Sequence, residues 1–189
     1  MLCRRKIPRC AGDDQEGNAG MKNIVLTGFM GTGKTAVGRE LSRLLSMQLV
    51  DIDAEIEKDQ KLPISDIFQK FGENYFRDVE TRIIKRFAAE KNLIISTGGG
   101  AVLREENMEA LRENGIVFCL DAHPETILER TNRSDDRPLL RTENPMAKIK
   151  ELLNFRRPFY EKAGMLIDTE GKTPLQIAEE IVETVRCRK

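Results

Sequence analysis

Two hydrophobic patterns alternate along this chain from Met21 onward: short uninterrupted apolar runs, and longer stretches in which apolar positions return every third or fourth residue. The first run predicts a strand over Lys22 to Thr27. After a glycine-rich turn, Val37, Leu41, Leu44 and Leu45 predict the buried face of a helix over Ala36 to Leu45. Leu49-Val50 predicts a short second strand ending at Asp51. Pro63 marks the first turn of a helix that runs through Phe68 and breaks at Gly72. A longer helix follows from about Glu73 to Glu90, with Phe76, Val79, Ile83 and Phe87 on one side. Leu93 to Thr97 predicts a third strand, stopped by Gly98-Gly99-Gly100. The pattern then gives a helix near Glu105 to Glu113, a strand at Ile116 to Leu120 and a helix from Pro124 to about Thr131. A helix from about Met146 to Lys162, a strand at Met165 to Ile167 and a helix from Pro174 to about Val185 close the chain, which has no internal repeats.

Strands separated by helices predict a parallel sheet covered on both faces, and 189 residues suit one such α/β domain. In that architecture ligands bind beyond the carboxyl ends of the strands. The loop after strand one, Asp51 and the triple glycine are therefore expected to meet in one crevice. Two segments stand outside the pattern. Residues 1–20 begin with Arg4, Arg5, Lys6 and Arg9, continue through Gly12, Asp13, Asp14, Gly17, Asn18 and Gly20, and offer almost nothing to bury; they are expected to be a disordered extension. Asp13, Asp14 and Glu16 argue against a targeting peptide, and Met21, at the head of the first strand, suits a start position. The stretch from Asn132 to Pro145 is polar and aperiodic, and its length suits a mobile loop more than a structural connection.

Charge and composition narrow the partners. Lys plus Arg number 31 and Asp plus Glu number 31, so no net charge recruits nucleic acid or an anionic membrane, and a small substrate is favoured. No apolar run approaches the roughly 18 residues of a membrane span, and a cytoplasmic protein is expected. Cys3, Cys10, Cys119 and Cys187 lack metal-site spacing and read as thiols. His123, just before Pro124, reads as a surface residue with no catalytic role.

Gly28-Phe29-Met30-Gly31-Thr32-Gly33-Lys34-Thr35 satisfies G-x-x-x-x-G-K-[ST] between a predicted strand and a predicted helix. Glycines let backbone N–H groups turn inward, and the helix N-terminus adds a positive dipole end, so the loop is a phosphate cradle. Lys34 would reach the β- and γ-phosphates, and the Thr35 hydroxyl would serve Mg²⁺. Asp51-Ile52-Asp53 puts two carboxylates at a strand end, one able to serve the metal and one an acceptor hydroxyl; Asp53 also suits the cap of a helix beginning at Ala54. Arg77, with Glu80 one turn on, and Arg156 or Arg157 in Arg156-Arg157-Pro158-Phe159-Tyr160 are either solvated surface or parts of a bidentate carboxylate receptor. Gly98 to Gly100 permit close ligand approach, and Arg137 on the polar loop suits a cation carried by a lid.

From Met21 to the C-terminus the sequence resembles shikimate kinase, a P-loop small-molecule kinase of aromatic amino-acid biosynthesis. The resemblance rests on Gly28 to Thr35, Asp51-Ile52-Asp53, Phe76-Arg77 with Glu80, Thr97-Gly98-Gly99-Gly100-Ala101, Arg137-Pro138-Leu139-Leu140 and Arg156 to Tyr160, in the family's order; residues 1–20 match nothing in it. It implies a three-layer P-loop kinase fold with a mostly five-stranded parallel sheet, in one domain over 21–189. Substrate-binding helices would span about 53–90 and the lid about 132–145. It implies phosphorylation of the shikimate 3-hydroxyl by ATP with one Mg²⁺, in a monomer. Gly28, Met30, Gly31, Thr32, Gly33, Lys34, Thr35 and Ala36 would surround the phosphates and Arg130 would lie against adenine. Thr35 and Asp51 would serve the metal, and Asp53 would orient the acceptor hydroxyl. Arg77 and Arg156 would clamp the carboxylate, Glu80 would brace Arg77, and Gly98, Gly99 and Gly100 with Phe68 and Phe76 would line the acceptor side. Lys34 and Arg137 would stabilise the transferring phosphoryl group. A kinase for another hydroxylated carboxylate such as gluconate, or a nucleotide-binding module without chemistry, are the alternatives; such modules typically lose Lys34, Asp53 or the lid arginine, and all three are present.

Overall fold

The computed structural model of the chain describes residues 21–131 and 144–187. The expectations for residues 1–20, for Arg137 and for most of the lid lie outside the described residues. Five strands form one parallel sheet in the order β2-β3-β1-β4-β5, where β1 is Asn23–Gly28, β2 Gln48–Asp51, β3 Leu93–Ser96, β4 Gly115–Asp121 and β5 Met165–Asp168. The helices are α1 Lys34–Leu45, α2 Ile52–Gln60, α3 Ile64–Ala88, α4 Glu105–Asn114, α5 Pro124–Thr131, α6 Pro145–Ala163 and α7 Pro174–Arg186, with a 3₁₀ turn at Ala101–Leu103.

Alternation along the strands builds the layers. Ile24 and Leu26 of β1 point to one face, where α1 and α7 bury Val37, Leu41, Ile177 and Ile181 against Ile94, Phe118 and Ile167. Val25 points to the other face and joins a cluster with Ile56, Phe76, Ile83, Met108, Ile127, Ile149 and Tyr160 from α2 to α6. Strands apolar on both faces are what a covered parallel sheet requires.

Local signals account for the element ends. Thr173 and Gln176 form a reciprocal capping box at α7, with Pro174 at the first helical position. Asn144 accepts from the Ala147 amide at 3.0 Å and caps α6, so the final two residues of the expected lid belong to that helix start. The break at Gly72 is present: φ 80° and ψ 173° divide α3 into two segments.

Two expectations change. Leu44 is 39% exposed, because the inward stripe of α1 runs through Val37, Gly38, Leu41 and Leu45. At about 100° per residue Leu44 sits roughly 75° from the centre of that stripe. The α2 cap is Asp51, whose Oδ1 accepts from the amides of Asp53 and Ala54, so the helix starts at Ile52 and Asp53 lies inside its first turn.

Candidate active site

The donor half grows from the turn between β1 and α1. Gly31 and Gly33 hold φ values of 77° and 94°, a region that glycine enters without a Cβ clash. Gly33 occupies the N-cap of α1 with no side-chain cap, which leaves the first amides of the helix for an anion. A cleft of about 260 Å³ opens over this turn, lined on one side by Met30, Gly31, Gly33, Lys34, Thr35 and Ala36. The Lys34 ammonium donates to the Gly28 and Phe29 carbonyls, at 2.9 Å each. Thr32 faces inward, its hydroxyl donating to the Phe29 carbonyl at 2.8 Å, so its side chain braces the loop. Gly28 packs on the Leu120 carbonyl, where no Cβ would fit.

Arg130 of α5 closes the far end. Its Nη1 donates to the Gly31 carbonyl at 3.3 Å and to the Thr169 hydroxyl at 3.4 Å. Thr169 is itself fixed to the end of β4, donating through N and Oγ1 to the Asp121 carbonyl. Glu170 receives the His123 amide and the Thr126 hydroxyl of α5. The bond from the His123 amide holds the Glu170 carboxyl below its ordinary range, burial opposing and Thr126 adding. His123 is exposed, as expected.

Across the mouth of the phosphate loop, Thr35 donates to Asp51 Oδ2 at 3.1 Å. A hydroxyl and a carboxylate side by side form a hard oxygen set that suits Mg²⁺, an ion that keeps several waters and takes few protein ligands. Asp53 turns toward the glycine turn. A Cβ at Gly98 would lie 2.8 Å from Asp53 Oδ1 and 3.0 Å from Glu80 Oε1, so a bare backbone at Gly98 is what lets both carboxylates in.

Glu80 is fully buried on α3 and accepts from Arg77 Nη1 at 2.7 Å. Burial pushes its carboxyl up from the ordinary value, and the Arg77 guanidinium pulls the other way. For Arg77, burial works to lower the pKa and the carboxylates of Glu80 and Glu73 more than offset it, so the cation is secure. The guanidinium lies 5.1 Å from the Phe76 ring centroid, and Phe76 packs on Phe68 at 4.6 Å. This stack joins Arg77 to the apolar cluster beneath α3.

Gly99 and Gly100 separate the two arginines. Gly100 lies against Arg77, where a Cβ would fall 2.5 Å from Nη1. The Gly99 carbonyl accepts from Tyr160 Oη at 2.7 Å and from Arg156 Nη1 at 3.4 Å. Arg156 is 6% exposed, faces the Phe29 ring at 5.7 Å, and its Nε has no partner among the described residues. Arg157 points to solvent, which settles which arginine of the pair faces inward.

The shikimate kinase family model matches residues 30–186. The chain belongs to the shikimate kinase family. The shikimate kinase of Thermodesulfovibrio yellowstonii is 53% identical over 163 residues, covering 86% of this chain and 94% of that one. The shikimate kinase of Thermoanaerobacter pseudethanolicus is 46% identical over 170 residues, with 89% and 99% covered. Among solved structures, shikimate kinase from Acinetobacter baumannii in complex with shikimate superposes with a TM-score of 0.86 at 39% identity, covering 89% of this chain and 95% of that one. The fold is thus that of the shikimate kinases, and the chain is an enzyme of the kinase class.

Within this shikimate kinase framework one cleft is lined by Met30, Gly31, Gly33 to Ala36 and Arg130 on one side and by Asp51, Asp53 and Gly99 on the other, while Gly28, Thr32, Phe68, Phe76, Arg77, Gly98, Gly100 and Arg156 are not part of that lining. Ser96 and Thr97 also line it; Thr97 entered the sequence reading only as the head of the Thr97 to Ala101 motif and Ser96 not at all, although the rule that strand ends carry ligands reaches both. The same rule applied to β5 finds Thr169. Tyr160 closes the Arg156 to Tyr160 motif, but no local signal finds its partner Gly99, 61 residues away.

Proposed function

We propose that this chain transfers the γ-phosphoryl group of ATP to the 3-hydroxyl of shikimate, giving shikimate 3-phosphate and ADP. The observation that carries the reading is the placement of two guanidinium groups, the partly buried Arg77 and the buried Arg156, on the glycine turn that faces the phosphate loop. Arg156 has an unpartnered Nε among the described residues, and a planar carboxylate would supply the missing acceptor. A hydroxylated ring carrying that carboxylate would set its hydroxyls at Gly98 to Gly100 and Asp53. Asp53 would accept the hydroxyl proton or orient it, and Lys34 would leave the Gly28 and Phe29 carbonyls for the phosphates. Arg137 is assigned to the same phosphoryl group from its place in Arg137-Pro138-Leu139-Leu140.

Thr35 and Asp51 would hold one Mg²⁺, Asp51 through water, and the ion would neutralise phosphate charge. The adenine would lie against Arg130. The enzyme is read as a cytoplasmic monomer that takes ATP and shikimate and no nucleic acid. Charge balance supports the last point. No helix among the described residues is long and apolar enough to cross a membrane.

ADP release measured in a coupled assay with Mg²⁺-ATP, comparing shikimate with gluconate, tests the reading. Turnover with shikimate and little with gluconate is expected; a folded protein inactive on shikimate would reject it.

A further inference from the structure

We propose that Tyr160 is a positioning residue of the acid-binding site, its hydroxyl holding the Gly99–Gly100 peptide and through it the separation of the Arg77 and Arg156 guanidinium groups. The inference rests on the reading of these two arginines as a carboxylate clamp.

Tyr160 is 6% exposed and donates to the Gly99 carbonyl at 2.7 Å, the ordinary distance of a well-formed hydroxyl hydrogen bond. Burial pushes the phenol up, with Arg156 opposing, so it is a donor at every working pH. The same carbonyl lies 3.4 Å from Arg156 Nη1, at the outer edge of hydrogen bonding. The carbonyl accepts from both groups through its two lone pairs, with the phenol the closer donor, and engages the guanidinium at one nitrogen only. Arg156 keeps donors for a second acceptor, and its buried Nε, without a partner among the described residues, is one of them.

Peptide geometry carries the effect to Arg77. In a planar trans unit the Gly99 carbonyl and the Gly100 N–H point opposite ways, so fixing one fixes the other. Gly100 lies directly against the Arg77 guanidinium, within the space a Cβ would need. One peptide plane is therefore wedged between the two cations. Glycines precede and follow that plane, and without an anchor it would be the easiest in the crevice to rotate. The ring of Tyr160 sits in the apolar cluster with Ile149 and Leu153, a role phenylalanine would fill equally, which leaves to the hydroxyl its bond to the Gly99 carbonyl and its direct contact with the Arg156 guanidinium.

The test is Tyr160→Phe in the full chain, with steady-state kinetics in both substrates, the melting temperature, and the same change in an Arg156→Lys background. Expected is a rise of about fivefold to tenfold in the KM for shikimate, with the KM for ATP changed by less than about twofold. In the Arg156→Lys background, where the clamp is already impaired, Tyr160→Phe should change the shikimate KM by less than about twofold. An unchanged shikimate KM, equal effects in both backgrounds, or both Michaelis constants rising together with a lower melting temperature would overturn the proposal, the last by making Tyr160 merely structural. A wild-type chain inactive on shikimate would overturn the functional reading as well, and so separates the two failures.

Discussion

Gly100 and Arg77 occupy adjoining space so closely that a Cβ on Gly100 would stand 2.5 Å from Nη1 and 2.7 Å from Cζ of the guanidinium. The guanidinium cannot simply swing aside, because Glu80 holds it at 2.7 Å and Glu73 at 3.1 Å. Gly100→Ala is therefore expected to keep the fold and raise the KM for shikimate by about tenfold, the equivalent of the 1–3 kcal/mol usual for an overpacked site. Circular dichroism with steady-state kinetics checks it; a native shikimate KM would show that Arg77 does not clamp the acid.

Lys34 makes two hydrogen bonds within its own loop, to Gly28 and Phe29, which orient the ammonium beside the cleft. Replacing it with methionine keeps the length of the stem and removes the charge. Lys34→Met is expected to lower kcat/KM by about 10²–10³ with a small change in melting temperature. Retention of a tenth or more of the activity would remove Lys34 from the transition state.

Asp51 has two duties, one for each oxygen: Oδ2 faces Thr35 and Oδ1 caps α2. Asparagine is an equally good N-cap but carries no charge. Asp51→Asn should leave the melting temperature nearly unchanged while raising the Mg²⁺ concentration needed for half-maximal turnover. A titration of activity against Mg²⁺ decides the point, and an unshifted curve would confine Asp51 to its capping role.

Glu170 links the loop after β5 to the first turn of α5, the helix that carries Arg130. Its carboxyl is held below the ordinary range, so the folded state favours the ionised form. Its contribution to stability is present above the unfolded-state pKa and disappears as pH falls through the lower, folded-state value. Glu170→Gln should lower stability by less than about 1 kcal/mol at neutral pH, with the difference from wild type closing in acid. Melting curves from neutral pH into the acid range test this; a gap that is constant with pH would contradict it.

Much of the architecture was legible in the sequence because period and punctuation agreed. Pro124 to Thr131 is a helix with those bounds, Gly72 breaks α3, and the three strand-end features meet in one cleft. The sequence was ambiguous where one rule admitted two residues. Asp51 and Asp53 both satisfy the cap rule, and only the strand's actual end chooses Asp51. Arg156 and Arg157 are neighbours in sequence, and the face of α6 that packs on the sheet decides between them. Leu44 matched the helix period yet lay at the edge of the stripe. The Glu80 pairing with Arg77 was legible as a one-turn spacing on a helix, whereas the stack of Phe68 on Phe76 and the Tyr160 contact gain their meaning from tertiary packing that no local pattern encodes.

The glycine turn also touches the phosphate loop through backbone: a Cβ on Gly99 would lie 3.4 Å from the Gly28 carbonyl oxygen and from the Met30 nitrogen. Donor and acceptor sides are the ends of adjacent strands, β1 and β3, locked in register at Leu26 and Ser96, with the Thr97 amide bonded to Leu26 at 3.0 Å. The span a phosphoryl group must cross is therefore measured by strand pairing, a spacing of about 4.8 Å that hardly varies among proteins. Helices α2, α3 and α6 can diverge to select the acid, while the sheet serves as the ruler for the transfer.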